Sequence, residues 1–140
     1  MKYFIIEPEV SGGLGPETVL DNSTHPPMVK KVEYKFEGWL GDPIIESFPV
    51  YLVTKELFGR FRDHQLSGYK SADVKISISD DLLESDPNIS IPEFVWLQIF
   101  GREQVDDFFI GNDYRLVISD NAKSIIEQVG VKYWSVEDYK

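Results

Sequence analysis

Two segments of the chain place a run of apolar residues directly before a helical pattern. In the first segment, the apolar residues 50–53 lead to Thr54, and apolar side chains then recur at the spacing of one helix face. Thr54 is a favourable N-cap, because its hydroxyl can accept a hydrogen bond from an otherwise unpaired amide of the first helical turn. The pattern therefore predicts a strand followed by a helix over about residues 54–65.

The second segment repeats this arrangement with a cleaner helical spacing. Residues 116–118 are apolar, and Ser119 is the expected N-cap of a helix over residues 120–129. One face of that helix carries four apolar side chains at i, i+3, i+4 and i+7, namely Ala122, Ile125, Ile126 and Val129. The two segments together suggest a pseudo-repeat of strand, cap and helix, although strand-to-helix turns are common enough to pair by chance.

The rest of the hydrophobic pattern predicts strands, because apolar and polar residues alternate or apolar residues run together. These strands cover residues 2–7, 31–36, 74–78, 94–100, 108–110 and 131–134, and 94–100 is apolar enough to be the centre of a sheet. Ser79 caps a short predicted helical turn over 80–85, and the glycine-rich segment 11–16 is expected to be a loop. We expect an α+β fold with two main helices on one mixed or antiparallel sheet, in a single domain of residues 1–140.

Composition narrows the class of protein. The chain has 140 residues, of which 42% are hydrophobic and none is Cys, so a buried core is expected and disulfides, thiolate zinc sites and Cys nucleophiles are excluded. No apolar run is long enough to cross a bilayer, and Glu7 interrupts the first apolar stretch too early for a signal peptide. We therefore expect a cytoplasmic protein.

Negative charge is concentrated in the middle of the chain. The net charge is −10, and residues 76–114 contain nine acidic residues with Arg102 as their sole basic residue. Such a charge distribution repels nucleic acid and anionic lipid and accelerates encounter with a basic protein. The alternative is that the acidic surface serves solubility alone.

Catalytic and metal-binding patterns are not recognisable in the sequence. His25 and His64 are expected to be surface residues, and Glu17 stands where the glycine-rich segment would have to hold a phosphate. The two acidic groups do not follow a calcium-loop pattern, so charged surface positions are the favoured interpretation: Asp80, Asp81, Glu84 and Asp86 in one, Asp106, Asp107 and Asp113 in the other. No catalytic residue, cofactor or metal site is predicted.

Trp39 is the remaining candidate, since it lies between glycines where a large ring can be exposed and anchor an interface. The alternative is that its ring covers the core from outside.

A family resemblance gives a more specific hypothesis. The segments SFPVYLVTKELFGRFRDHQLSGYKSADVKIS and DYRLVISDNAKSIIEQVG share an apolar strand, a Ser or Thr and a helix, and Leu66-Ser67-Gly68 follows the first helix as a turn. Over roughly half of its length the chain resembles small bacterial proteins predicted to be immunity proteins of polymorphic toxin systems. The resemblance implies that the protein binds and neutralises a cognate toxin, and it supplies no catalytic residues. From the acidic surface we infer that the toxin is basic, as a nuclease is.

Three hypotheses follow from these observations. The first is a toxin-neutralising binding protein with no nucleic acid or membrane partner, whose contact residues are Trp39 and the two acidic groups named above. The second is a small enzyme or ligand-binding domain that uses the segment Gly12 to Gly15, which a deep pocket with convergent carboxylates would support. The third is a structural subunit of a larger assembly, which a large exposed apolar patch would indicate. The oligomeric state stays open.

Overall fold

The computed structural model describes residues 1–140 and contains three helices and thirteen strands. The helices are α1 (Lys55–Asp63), α2 (Asp80–Ser85) and α3 (Asp120–Val129). The strands are β1 (Tyr3–Glu7), β2 (Gly12–Leu14), β3 (Val19–Asp21), β4 (Met28–Lys31), β5 (Glu33–Phe36), β6 (Ile44–Ser47), β7 (Val50–Thr54), β8 (Tyr69–Ala72), β9 (Lys75–Ile78), β10 (Phe94–Ile99), β11 (Phe108–Ile110), β12 (Leu116–Ser119) and β13 (Ser135–Asp138). The α+β class is confirmed, as are both main helices and their caps. No helix is long and apolar enough to cross a membrane.

The strands form four sheets, so the expectation of one sheet is wrong. Two four-stranded sheets have the orders β6-β7-β10-β8 and β11-β12-β1-β13, and all their neighbouring strands are antiparallel. A three-stranded sheet has the order β2-β5-β9, and β3 pairs with β4 in a hairpin. The strands predicted from the sequence are therefore distributed over different small sheets.

The two four-stranded sheets have the same topology. In each, a hairpin leads into a helix, the chain returns as an outer strand, and a fourth strand is inserted between the hairpin and that outer strand. We call β6, β7, α1, β8 and β10 the first repeat, and β11, β12, α3, β13 and β1 the second repeat. The inserted strand follows the other strands in the first repeat but precedes them in the second, so the repeats are circularly permuted relative to each other.

Equivalent backbone hydrogen bonds support this correspondence. The first inserted residue pairs with the N-cap in both repeats, Phe94 with Thr54 and Tyr3 with Ser119. The first helical amide donates to the carbonyl before the inserted strand over 2.9 Å in both cases. The N-cap amide likewise donates over 2.9 Å to the carbonyl of the residue before the hairpin, which is Pro43 in the first repeat and Asp107 in the second. The pseudo-repeat suggested by the sequence is therefore present in the backbone.

Two buried aspartates connect the repeats reciprocally. Asp42, just before the first repeat, accepts hydrogen bonds from the amides of Lys132 and Tyr133, at 2.9 and 2.7 Å, in the segment after α3. Asp107, just before the second repeat, accepts a 2.9 Å bond from the amide of Ser67 in the segment after α1. Each aspartate therefore fixes the chain that leaves the helix of the other repeat.

The hydrophobic core has two main layers on either side of the first-repeat sheet. One layer joins this sheet to α1, α3 and the second-repeat sheet, and it includes Val53, Leu97 and Ile126. The other layer joins it to the three-stranded sheet and includes Tyr34 and Leu52. Strand β10 contributes to both layers, which confirms that the apolar run at 94–100 is a central strand covered on both faces.

Two local predictions are corrected. The glycine-rich segment contains strand β2, which pairs with β5, because its glycines allow an unusually close approach of the two backbones. A Cβ at Gly12 would lie 1.9 Å from the carbonyl oxygen of Lys35. The last strand is Ser135–Asp138, since residues 131–134 are used to reach Asp42 and to cover the core.

The close approach at Gly12 gives a direct test of β2. We expect Gly12→Ala to destabilise the fold by about 2 to 3 kcal/mol, because the strands would have to separate. Gly13→Ala is the matched control, since no atom lies within 4 Å of its Cβ position. Urea unfolding of both variants measures the difference, and equal stability of the two would contradict the assigned pairing.

The two N-caps predict unequal costs of truncation. Thr54 Oγ1 accepts from the Leu57 amide over 3.2 Å, whereas Ser119 Oγ accepts from the Ala122 amide over 3.1 Å and also donates to Asp107 over 2.6 Å. We expect Thr54→Ala to cost about 1 kcal/mol and Ser119→Ala about 3 kcal/mol, since the second change also removes a bond to a buried carboxylate. Chemical denaturation provides both values, and a Ser119 cost no larger than that of Thr54 would be inconsistent with the role given to Asp107.

Candidate functional site

The acidic residues of α2 are all exposed. Asp80, Asp81 and Glu84 belong to this six-residue helix, Asp86 is its C-cap residue, and none of the four forms an ion pair. The short helix and its Ser79 cap agree with the sequence analysis, because the Ser79 hydroxyl accepts from the Leu82 amide over 3.1 Å. This helix is therefore an uncompensated negative surface.

The second acidic group is divided among three environments. Asp106 is half-buried and accepts from the Arg102 amide over 2.6 Å, which lowers the pKa of its carboxyl. Asp113 is exposed, and a hydrogen bond from Arg115 lowers its pKa. Asp107 is 9% exposed and binds Ser67 and Ser119, so its assignment to a contact surface is corrected to an internal structural role.

The two acidic groups do not form one continuous surface. Helix α2 begins beside Phe36, whose ring contacts Phe94 at the start of β10, whereas Asp106 follows the other end of that strand. A six-residue strand separates its ends by roughly 20 Å. A partner would have to extend along the whole strand to contact both groups.

Trp39 is half-buried, and its ring packs edge-on against Phe94 with centroids 6.0 Å apart. Its indole nitrogen donates to the carbonyl of Asp42 over 3.0 Å. The ring therefore covers the core from outside, which is the alternative that the sequence analysis left open.

An exposed aromatic groove, which the sequence analysis did not find, lies where the two repeats meet. Its walls come from the β6–β7 hairpin and the β11–β12 hairpin, which are equivalent elements of the two repeats, and from the segment between β3 and β4. Strand β10 supplies further wall residues. The cavity measures about 220 Å³ and is lined by Pro26, Pro27, Val29, Phe48, Pro49, Tyr51, Trp96, Leu97, Gln98, Ile99, Ile110 and Tyr114.

Two aromatic side chains of this groove are exposed. Phe48 is 48% exposed and Tyr114 is 39% exposed, and both lie in turns between paired strands. The ring of His25 packs edge-on against Tyr114 with centroids 5.0 Å apart and lies 6.4 Å from the Phe48 ring. Tyr114 has a φ of 65°, a left-handed conformation that a large side chain rarely adopts and that is often found at functional sites.

A second depression adjoins the groove and contains charged residues. It measures about 290 Å³ and shares Phe48, Tyr51 and Tyr114 with the groove. Its other lining residues are Ile6, Glu7, Val10, Glu46, Ser47 and Arg115. We call this the acidic depression, because its carboxylates outnumber its one cation, Arg115. Arg115 is already paired with Asp113 at 2.6 Å, with Glu137, and with Glu7 at 3.8 Å.

Glu46 is the one carboxylate of the acidic depression without a cationic partner. It is half-buried in edge strand β6, and no ion pair includes it. Burial, with a smaller contribution from Glu7, raises its pKa to about 7. The pKa of the neighbouring Tyr51 hydroxyl is also raised, by burial and then by Glu46. An incoming cation would therefore find an unpaired carboxylate here.

The size of the groove indicates what it can hold. Small-molecule and cofactor pockets are typically about 300 to 1,000 Å³, so a cavity of about 220 Å³ suits a single apolar side chain better. No group of three or more His, Cys, Asp or Glu side chains is placed to hold a metal ion. The groove is therefore suited to binding a side chain of a protein partner.

Sequence signals for the groove were present but weak. Phe48-Pro49 stands between two apolar strands, and Tyr114 follows the turn Gly111-Asn112-Asp113, so both large rings lie at turns where exposure is common. The Phe48 and Tyr114 rings come close together because the two repeats are in contact, and no local sequence pattern predicts that contact.

No protein-family model matches the chain, and no curated protein matches it. The resemblance to immunity proteins therefore stays a prediction.

The raised pKa of Glu46 predicts a pH-dependent gain from removing its charge. The folded pKa of about 7 exceeds the ordinary value of 4.5, so the folded state binds this proton more tightly and loses stability as pH rises from 4.5 to 7. We expect Glu46→Gln to stabilise the protein at pH 8 by about 1 to 2 kcal/mol, an amount reduced for partial exposure, and not at pH 4.

Urea unfolding at the two pH values provides this measurement. Glu84→Gln removes the same charge from exposed α2 and is the matched control. A gain from Glu46→Gln that is equally large at pH 4 would show that deprotonation of this carboxyl is not its cause.

Proposed function

We propose that this chain is a non-catalytic protein-binding protein, and that it acts as an immunity protein that neutralises a basic toxin domain. The observation that carries the proposal is the exposed aromatic groove beside the acidic depression. Exposed aromatic side chains in a side-chain-sized cavity are typical anchors of protein interfaces. The family resemblance supplies the biological role, and the charge supplies the class of partner.

Charge supports a basic partner at long range as well. Four of the 24 acidic side chains, Glu9, Glu33, Asp42 and Asp107, are buried. The remaining 20 still outnumber the 14 Lys and Arg residues, so the outer surface is negative. Helix α2 and its C-cap residue Asp86 contribute four unpaired carboxylates to this field. A negative field of this kind increases the rate at which a basic protein arrives and disfavours nucleic acid and anionic lipid.

The proposed mechanism is occlusion. The protein would cover the functional surface of the toxin in the cytoplasm before the toxin can act, and no bond is made or broken. Specific stable interfaces bury about 800 Å² on each partner, so contacts would extend from the groove over neighbouring residues. Val10 and Leu40, which are 66% and 65% exposed, extend the apolar surface beyond the groove.

The first experiment identifies the partner and tests its toxicity. The tagged protein is used to capture partners at low salt, and these are eluted with a salt gradient and identified by mass spectrometry. The proposal expects a basic protein that stops growth when expressed alone and is harmless when this chain is co-expressed. A captured partner whose expression does not affect growth would contradict the immunity role.

Charge reversal on α2 tests the contribution of long-range attraction. We expect Asp80→Lys with Asp81→Lys to lower the association rate by about three- to tenfold at low salt, with little change in dissociation rate. The effect should shrink at 0.5 M salt, where exposed charges are screened. Asp80→Asn with Asp81→Asn is the graded control, and surface plasmon resonance measures both rates. An unchanged association rate would remove α2 from the mechanism.

A further inference from the structure

We infer that the aromatic groove and the acidic depression form one two-pocket site that recognises a short protein segment presenting an apolar side chain, aromatic in preference, beside a Lys or Arg. This inference rests on the proposed function, because it names the chemistry of the partner segment at the same surface. It assigns the apolar side chain to the groove and the cation to Glu46.

The aromatic groove and the acidic depression share a wall. Phe48, Tyr51 and Tyr114 line both cavities, so the cavities are neighbours and two adjacent or next-but-one residues of a partner can occupy them together. The groove contributes no charged side chain to its lining, and the acidic depression contributes three. One cavity therefore favours an apolar group, and the other favours a charged one.

The charges around the acidic depression indicate that the partner side chain bound there is a cation. The ionic groups at the acidic depression are the carboxylates Glu7, Glu46, Asp113 and Glu137 and the single cation Arg115. Arg115 already contacts three of these carboxylates, so it is not free to bind an incoming anion. Glu46 alone has no cationic partner, and a Lys or Arg side chain would provide one. An acidic segment would meet uncompensated repulsion.

Strand pairing and hydrogen bonds within the chain hold the framework of the site. Phe48 follows β6, which pairs with β7, and Tyr114 precedes β12, which pairs with β1 and β11. The amide of Tyr114 donates to the Gly111 carbonyl over 2.9 Å, and the Tyr34 hydroxyl donates to the Glu46 carbonyl over 3.0 Å. A preformed site loses less conformational entropy on binding, so even a short segment can bind measurably.

Blocked tetrapeptides provide a test that does not require the toxin. The probes are acetylated and amidated Gly-Lys-Phe-Gly, Gly-Glu-Phe-Gly and Gly-Lys-Ala-Gly, titrated into the ¹⁵N-labelled protein while its amide signals are followed by NMR. We expect Gly-Lys-Phe-Gly to shift signals of residues 46–51 and 110–115, with an affinity at least about fivefold higher than that of the other two. Shifts confined to other surfaces, or equal affinities for all three peptides, would overturn the inference.

Two variants assign the pockets. Glu46→Gln should weaken Gly-Lys-Phe-Gly by about fivefold and leave Gly-Glu-Phe-Gly no weaker, because only the first peptide uses the carboxylate. Phe48→Ala should weaken both peptides that contain Phe, and its exposed position makes it compatible with folding. Glu127→Gln, at an exposed position of α3, is the charge-matched control and should leave all affinities unchanged. If Glu46→Gln acts no more strongly than Glu127→Gln, the assignment of the cation to Glu46 is wrong.

The failure of this inference and the failure of the proposed function are distinguishable. Peptide binding at the groove without a partner that affects growth would support the two-pocket site and contradict the immunity role. Protection from a toxin that Glu46→Gln and Phe48→Ala leave undiminished, in affinity and in growth, would support the immunity role and overturn the two-pocket site.

Discussion

The fold depends on two buried carboxylates that bind backbone amides of the opposite repeat. Asp42 and Asp107 are 2% and 9% exposed, and neither is neutralised by a Lys or Arg. A buried ionised group is costly unless hydrogen bonds replace its hydration, and backbone amides and hydroxyl groups do so here. The same bonds satisfy amides in the segments that follow α1 and α3. Each repeat therefore completes the hydrogen bonding of the other, and neither is complete alone.

This reciprocal connection also positions the candidate site. Because the repeats are related by their common topology, joining them brings together two equivalent hairpins, one bearing Phe48 and the other Tyr114. The core between the repeats is filled by side chains such as Leu57 and Ile126, and the groove lies where this packing ends. The site belongs to the junction, which explains why residues distant in sequence share its lining.

Local features of the fold could be predicted from the sequence, and its long-range features could not. Thr54, Ser79 and Ser119 are caps because hydroxyl, backbone and helix lie within a few residues, and the apolar stripe of α3 is equally local. The bond from Lys132 to Asp42 spans 90 residues, and no spacing pattern reports it. Asp106 and Asp107 look alike in the sequence, yet only the second is buried, because it forms hydrogen bonds with Ser67 and Ser119, which are distant in the chain. The number of sheets could not be predicted either, because strands that pair, such as β1 and β12, are far apart in the chain.

The permuted order of the second repeat has a consequence for the newly made chain. Strand β1 leaves the ribosome long before its neighbours, and the bond from Ser135 to Glu7 joins β13 to β1 across 128 residues. The strands of the first repeat lie closer together in the sequence, so they can pair with one another before the second repeat has been made. Until β12 and β13 emerge, the apolar side chains of Tyr3–Glu7 have no sheet to join. Strand β1 therefore stays unpaired until the chain has been extended to Leu116, and in that interval its apolar side chains are open to incorrect association.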